Sequence, residues 1–184
     1  MNTIDRRIIK SQKAIKSALV ELMSEKNFDE ITLQDISNRA DVSRRTIYLH
    51  YLDKYDLLDK IIEEHIEELK RLCEIQSEEE NTSWFDYFHE NQFFFNSLLS
   101  SKGASFFRSQ LLEFVVSDMR STWKRRLEGE NKGINDAVLL QFFGTAYVGI
   151  VEWWFRNDMP HPPCFMEEQM GILLERNLSP VFNA

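Results

Sequence analysis

Residues 32–51, TLQDISNRADVSRRTIYLHY, constrain the fold of this chain more than any other segment. Thr32 and Ser43 are each suited to begin a helix, because their hydroxyls can accept hydrogen bonds from the first free backbone N–H groups. These caps predict two short helices, at Leu33–Arg39 and Arg44–Tyr51, separated by a tight turn. This arrangement is the plan of a helix-turn-helix, whose second helix enters the major groove of DNA.

The apolar and cationic residues of this segment are predicted to separate. The side chains expected to point inward and set the angle between the helices are Leu33, Ile36, Ala40, Val42 and Ile47. The side chains left on the outer side, or at the start of the second helix, are Arg44, Arg45, Thr46, Tyr48 and His50. Arginine can form two hydrogen bonds to a guanine edge, and hydroxyl and imidazole groups suit phosphate oxygens. The pattern therefore favours DNA contact, with a solvated surface as the alternative.

The rest of the chain also indicates helices, because it holds only six Gly and four Pro in 184 residues. Apolar residues recur at helical spacing in a first helix over Arg6–Lys26 and in a long helix over Lys54–Glu74, capped by Asp53. Further helices are predicted at Trp84–Leu99, Ala104–Arg108, Gln110–Leu127, Asn135–Arg156 and Phe165–Asn177, with the second and third open to being one continuous helix. The predicted fold is therefore all-α.

Charge is distributed unevenly along the chain. The formal net charge is −8. Residues 1–60 hold 11 Lys+Arg against 10 Asp+Glu, and residues 61–184 hold 11 against 20. An acidic body would be repelled by DNA, so the N-terminal part is the end better suited to touch phosphates. The early basic residues of the first helix fit either a phosphate track or a solvated face.

Residues 32–58 resemble the TetR family of bacterial transcription regulators, and the similarity extends over roughly residues 8–62. The resemblance is carried in fixed register by Thr32, Ile36, Ser37, Ala40, Val42, Ser43, Thr46, Ile47, Tyr48, His50, Tyr51, Lys54, Leu57 and Leu58. The chain departs from the family at Asp41, where a glycine is usual. Aspartate is one of the few other residues that adopt positive φ, so we expect the turn to survive.

The resemblance implies a function and roles for individual residues. Arg44 and Arg45 would read bases, and the phosphate-holding residues would be Thr32, Thr46, Tyr48, His50 and Lys54. The family fold implies a three-helix DNA-binding domain at 1–53, a connecting helix at 54–76, and a ligand-binding and dimerisation domain at 77–184. The expected partners are double-stranded operator DNA, a second copy of the chain, and a small hydrophobic effector of unknown identity.

The C-terminal half is rich in aromatic residues, most of which would be core. Helices that bound a cavity leave a few rings lining it, because ligand sites are concave and mostly apolar. The candidates for such a lining are Phe88, Phe107, Phe114, Trp123 and Tyr147. The helix at Asn135–Arg156 is apolar nearly all round, so we expect it to be buried on more than one face, with Gly144 and Gly149 permitting close approach.

Tyr147–Pro160 resembles, more weakly, a branch of the family that includes regulators of dihydroxyacetone kinase operons. Two functions stay open: an effector-controlled repressor on a palindromic operator, or a coactivator that acts through a partner regulator without binding DNA. Catalysis is not expected, since the four histidines lie in no metalloprotease motif and no phosphate loop is present. No cofactor, metal site or membrane span is predicted, and the expected location is the cytoplasm.

Overall fold

The computed structural model describes residues 3–74, 83–122 and 135–178, and these ranges contain helices and no strand. A 3-10 turn lies at Phe28–Glu30. The α-helices within the described ranges are α1 (Thr3–Glu25), α2 (Leu33–Ala40), α3 (Arg44–Tyr48), α4 (Lys54–Glu74), α5 (Trp84–Glu90), α6 (Gln92–Leu99), α7 (Ala104–Thr122), α8 (Asp136–Arg156) and α9 (Pro163–Leu178). The prediction of an all-α fold is confirmed.

Two predicted elements differ from the structure. The helix expected over Trp84–Leu99 is interrupted at Asn91, whose φ of −104° and ψ of 22° are not helical, so α5 and α6 are separate. The helix expected to end at Tyr51 stops at Tyr48, so α3 has five residues. The two segments that begin at Ala104 and Gln110 form the single helix α7.

The chain forms two compact units that do not follow its order. One unit comprises Met1–Glu67 with Asn91–Phe107, and the other comprises Glu68–Glu90 with Arg108–Ala184. The two units group residues that lie close together in space. The predicted segments 1–53, 54–76 and 77–184 divide the chain by role, and that division stays a prediction.

The first unit is built around the inward faces of α1, α2 and α4. Its fully buried side chains include Ile15, Leu19, Phe28, Ile36, Ile47, Leu57 and Ile62. Within this unit α1 packs against α2 and α6. Burial of these apolar side chains supplies the main stabilisation, at about 25 cal/mol per Å² of apolar surface removed from water.

The second unit has an aromatic core centred on Trp154 of α8. The Trp154 ring is 0% exposed, and its centroid lies 5.3 Å from that of Phe85 in an edge-to-face arrangement. The indole Nε1–H donates to the backbone carbonyl of His161 at 2.8 Å, so its polar atom is satisfied. A Cβ placed at Gly144 would stand 2.7 Å from Val116 and 3.0 Å from Leu112, so this glycine allows α7 and α8 to approach closely.

Within one copy of the chain, one face of α8 is exposed, although the sequence predicted a helix buried on more than one face. Val138 and Phe142 are each 63% exposed, and Trp153 is 43% exposed. By length and composition α8 could cross a bilayer, yet half of that apolar window is buried in the protein, as in a core helix. Among the described residues nothing lies within 4 Å of a Cβ placed at Gly149, so this glycine makes no close approach to them. Exposed apolar patches of this kind are typical of interaction surfaces.

Candidate functional site

The start of α2 is fixed by a reciprocal pair of hydrogen bonds. The Asp35 backbone N–H donates to Thr32 Oγ1 at 3.1 Å, and the Thr32 backbone N–H donates to Asp35 Oδ2 at 2.8 Å. Lys26 Nζ also donates to Asp35 Oδ2, at 2.9 Å. These bonds, that from Lys26 foremost and those from Thr32 next, lower the pKa of Asp35 to about 2. The predicted cap is therefore present, and the Thr32 hydroxyl takes part in it.

The turn between α2 and α3 uses the left-handed conformation predicted for Asp41. Asp41 has φ 51° and ψ 45°, a region that aspartate tolerates better than most residues. The Val42 N–H donates to the Ser37 carbonyl at 3.1 Å, and the Ser37 hydroxyl donates back to the Val42 carbonyl at 2.6 Å. Ser37 therefore closes the turn between α2 and α3.

Helix α3 presents a cationic surface while one side chain anchors it. Ser43 caps the helix by accepting from the Thr46 N–H at 3.1 Å, and Ile47 is 0% exposed beneath it. Arg44 and Arg45 are exposed, as is Tyr48. Arg44 Nη2 lies 3.4 Å from the Tyr48 hydroxyl, one helical turn away. The helix thus projects outward with its cations accessible.

Thr46 and His50, the two other residues of this segment predicted to contact phosphates, are less exposed than the arginines. The Thr46 hydroxyl lies 2.9 Å from that of Ser43, so it shares in the cap. His50 is half-buried, and its ring centroid stands 6.2 Å from that of Tyr51. Tyr51 itself is 4% exposed, and its hydroxyl has no hydrogen-bond partner among the described residues. Burial first, and the nearby Glu64 and Asp56 next, raise the pKa of Tyr51 to about 12.

Lys54, predicted to hold a phosphate, lies with its ammonium against backbone carbonyls. Lys54 Nζ donates to the carbonyls of Phe28, Asp29 and Ile31 at 3.0, 2.9 and 2.8 Å. It also stands 4.8 Å above the centre of the Phe28 ring. Burial lowers the pKa of Lys54 below its usual range. Its three donors thus hold the 3-10 turn against the start of α4.

Some basic residues of the first unit form ion pairs, whereas Arg44 and Arg45, like Arg6, Arg7, Lys10 and Lys13 of α1, form none within the described ranges. The basic residues that pair with carboxylates there are Lys16, Lys26, Arg39, Lys60 and Lys102. Arg39, for example, reaches Glu25 at 2.8 Å and Glu21 at 3.3 Å. Within the described ranges neither Arg44 nor Arg45 has such a partner. An exposed, unneutralised pair of guanidinium groups is suited to an external anion.

The candidate effector-contacting residues are buried. Phe88, Phe107, Phe114 and Tyr147 are 0%, 1%, 6% and 7% exposed. Phe107 belongs to the first unit, where its centroid lies 5.3 Å from that of Phe95. The other three belong to the second unit. Trp123 lies outside the described residues.

The structure brings Phe114 and Tyr147 together through Trp84, which the sequence did not single out. The Trp84 ring centroid is 4.9 Å from that of Phe114 and 5.3 Å from that of Tyr147. Asp118 follows Phe114 by one helical turn, and burial raises the pKa of its carboxyl while a hydrogen bond from Cys73 lowers it. Burial also raises the pKa of Tyr147 well above its ordinary value. This part of the second unit therefore combines rings with a partly desolvated carboxyl.

Comparison with known families matches both halves of the chain to one kind of protein. Residues 15–61 match the family described as bacterial regulatory proteins, tetR family. Residues 76–176 match the family described as transcriptional regulator C-terminal region. The second match alone spans more than half of the chain.

Individual proteins are similar to this chain in sequence over part of its length or in fold. An uncharacterised HTH-type transcriptional regulator of Bacillus subtilis, YxbF, is 33% identical over 67 residues, which are 36% of this chain and only 18% of that protein. A TetR transcriptional regulator from Streptococcus agalactiae is similar in structure, with a TM-score of 0.63, 25% identity, and 92% of this chain and 97% of that chain covered. The dihydroxyacetone kinase operon activator DhaS has a TM-score of 0.66 at 18% identity, over 91% and 96% of the two chains.

Proposed function

The chain belongs to the TetR family of bacterial transcriptional regulators, and from that premise we propose that it represses transcription in the cytoplasm by binding a palindromic operator as a homodimer. In this proposal α3 lies in the major groove, and a small hydrophobic effector bound in the C-terminal half alters the affinity for DNA. Effector and operator are coupled, so each changes the binding of the other by the same factor.

The exposed, unpaired guanidinium groups of Arg44 and Arg45 are the observation that carries this proposal. Both stand on a short helix that is anchored from below by the fully buried Ile47. Arginine donors can read guanine, and the neighbouring hydroxyls of Thr46 and Tyr48 suit phosphate oxygens. His50 is proposed as a further phosphate contact.

Thr32 and Lys54 differ from the arginines because their side chains already form hydrogen bonds inside the protein. Each is engaged inside the protein, Thr32 in the cap of α2 and Lys54 on three carbonyls. Thr32 is exposed, so its hydroxyl can contact a phosphate while it caps the helix. A phosphate contact by Lys54 would require its ammonium to leave those carbonyls. We therefore propose that Lys54 acts chiefly by holding the turn before α2 in place.

Binding to the DNA upstream of the chain's own gene tests the proposed function. Wild-type protein should protect a palindromic site in a footprint at about 50 mM salt, where phosphate contacts are strong. The double variant Arg44→Ala/Arg45→Ala should lose the footprint and keep its helical circular dichroism, since both residues are exposed. Arg120→Ala, which removes an exposed arginine of α7, is the matched control and should leave the footprint intact. A folded wild-type dimer that protects no site would favour the partner-protein function instead.

The exposed apolar stripe of α8 supports the proposed homodimer. Phe142 and Val138 lie one helical turn apart and are each 63% exposed, and Leu173 of α9 is 47% exposed. Large exposed patches of this kind mark interaction surfaces. A two-fold dimer also explains how a five-residue helix can specify a site, because two copies about 34–36 Å apart read two half-sites.

The dimer is tested by measuring mass in solution. Phe142→Glu should convert the wild-type dimer to a monomer, because a buried interface does not accommodate an unpaired carboxylate. Phe93→Glu is the control, since Phe93 is similarly exposed, at 70%, on α6. Gly149→Ala adds a second readout: a Cβ placed there meets nothing within 4 Å among the described residues of one copy, so weaker dimerisation would report the partner. A dimer of unchanged stability in both α8 variants would exclude this face.

The effector site is proposed among the aromatic side chains of the second unit. Phe88, Phe114 and Tyr147 remain candidates, joined now by Trp84, because its ring bridges two of them. The sequence also predicted Phe107, which belongs to the first unit, and Trp123, which lies outside the described residues, and neither is part of this placement. Quenching of tryptophan fluorescence by a panel of apolar compounds, with Trp84→Phe as the variant, tests this placement: a bound compound that quenches both proteins equally would exclude Trp84.

A further inference from the structure

The outermost face of α3 carries a leucine as well as an arginine. Successive residues of an α-helix are about 100° apart, so Arg45 and Leu49 each lie about 160° from the buried Ile47, on either side of the direction that points away from the protein. Leu49 keeps helical dihedrals, with φ −71° and ψ −20°, so this geometry extends to it. Arg44 lies only about 60° from Ile47 by the same count.

The Leu49 side chain is exposed and contributes little to the packing of the protein. It is 72% exposed, and its backbone N–H is satisfied by the Arg45 carbonyl at 3.1 Å. Single exposed apolar residues are common on protein surfaces. This one, however, stands one turn from Arg45 on the face that would enter a major groove. There the C5-methyl group of thymine is the apolar feature that side chains can contact.

We propose that Leu49 is a specificity-determining residue that packs on a thymine methyl group beside the base read by Arg45. This inference rests on the proposed DNA-binding function. The charge around Leu49 indicates which kind of partner contacts this face. Because Arg44 and Arg45 have no carboxylate partner within the described ranges, a polyanion such as DNA fits this face better than an apolar protein surface would. A half-site should therefore contain a thymine next to the guanine that Arg45 contacts.

Replacement of thymine by uracil isolates the methyl group without any change to the protein. Each thymine of the footprinted site is replaced in turn, symmetrically in both half-sites, and the affinity of wild-type protein is measured by fluorescence anisotropy. Burial of one methyl group corresponds to about a fourfold effect, so loss of two should weaken binding about fifteenfold at one position of the half-site. Uracil at the other positions should change affinity by less than about twofold.

The variant Leu49→Ala assigns the effect to this side chain. It should bind the thymine and uracil sites with nearly equal affinity, while its preference for the guanine read by Arg45 persists. Leu52→Ala is the matched control, because Leu52 is 83% exposed but lies beyond α3, with its backbone N–H donating to Asp56 at 2.9 Å. Leu52→Ala should discriminate thymine from uracil as well as wild-type protein does.

Three results would overturn the inference in different ways. Uracil tolerated at every position by wild-type protein would mean that no methyl group is read, while DNA binding itself stands. Full discrimination retained by Leu49→Ala would assign the methyl contact to another residue. Absence of any bound upstream site would remove the proposed function and this inference together.

Discussion

The helix-turn-helix segment and the aromatic second unit use side chains in opposite ways. In the segment, function is proposed for exposed groups such as Arg45, and the framework beneath them is fixed by local hydrogen bonds such as the Thr32–Asp35 pair. In the second unit, the candidate residues are themselves buried, and Phe88 is 0% exposed. In the first region most of the proposed DNA contacts are exposed, whereas in the second unit the described ligand candidates are as buried as the core around them.

This contrast has a physical basis. An exposed cation without a partner contributes little to stability, so its removal should change stability little whatever it binds. A buried ring stabilises the fold whether or not a ligand later touches it. Measurements of stability and of binding should therefore give different answers in the two regions.

Truncation of Phe88 has the largest expected effect on stability. It tests whether the ligand candidates of the second unit are packed core residues, unlike the exposed residues of the helix-turn-helix segment. Because Phe88 is fully buried, Phe88→Ala should lower the free energy of unfolding by about 3–5 kcal/mol, measured by urea denaturation. Phe93→Ala, at a 70% exposed ring, should cost less than about 0.5 kcal/mol. A loss at Phe88 as small as that at Phe93 would mean that the ring borders empty space instead of packed core.

Truncation of Arg45 should leave stability unchanged and weaken DNA binding. We expect Arg45→Ala to lose about 1–3 kcal/mol of binding free energy and to relax the preference at one base position, since it removes a bidentate contact. Arg44→Ala should act in the same way at another position, which competition between operator variants would show. Equal, sequence-blind losses from both changes would remove the arginines from base reading.

Replacement of Lys54 separates a structural role from a phosphate contact. Lys54→Met should lower the free energy of unfolding by about 1.5 kcal/mol, because three backbone carbonyls lose a charged donor. The salt dependence of DNA binding should stay as in wild-type protein. If instead the slope of log K against log salt becomes less steep by about 1 per subunit in the variant, Lys54 neutralises a phosphate.

Tyr51→Phe should stabilise the protein slightly. The Tyr51 hydroxyl is buried without a partner among the described residues, so its removal should gain about 1 kcal/mol. Unfolded tyrosines ionise near pH 10, whereas the pKa of folded Tyr51 is about 12. Ionisation therefore favours the unfolded wild-type chain as pH rises, and the advantage of Tyr51→Phe should grow from pH 10 towards 12. A destabilised variant would show that the hydroxyl is satisfied after all.

Local rules explain why the helix-turn-helix could be predicted. The caps at Thr32 and Ser43 and the positive φ of Asp41 depend on residues within a few positions of one another, so a single sequence contains the information. The carbonyls bound by Lys54 lie 23–26 residues away in the chain. That contact is created by the tertiary fold, and no local pattern reveals it.

Two features of the C-terminal half could not be predicted for a different reason. The break at Asn91 has neither glycine nor proline to mark it. The sequence of α8 predicts burial for its whole apolar surface, because hydrophobicity does not distinguish burial within one chain from an apolar surface that is exposed in one copy. Leu49 was missed similarly, since an apolar residue in a helical pattern is normally read as core.

The salt dependence of operator binding tests the central claim, that the cationic face of α3 contacts DNA, most directly. A dimer that neutralises six or more phosphates should show log K falling against log salt with a slope of about −5 or steeper. Arg44→Ala/Arg45→Ala should abolish that steep, site-specific binding. A wild-type affinity independent of salt, or one that the double variant retains in full, would contradict the account.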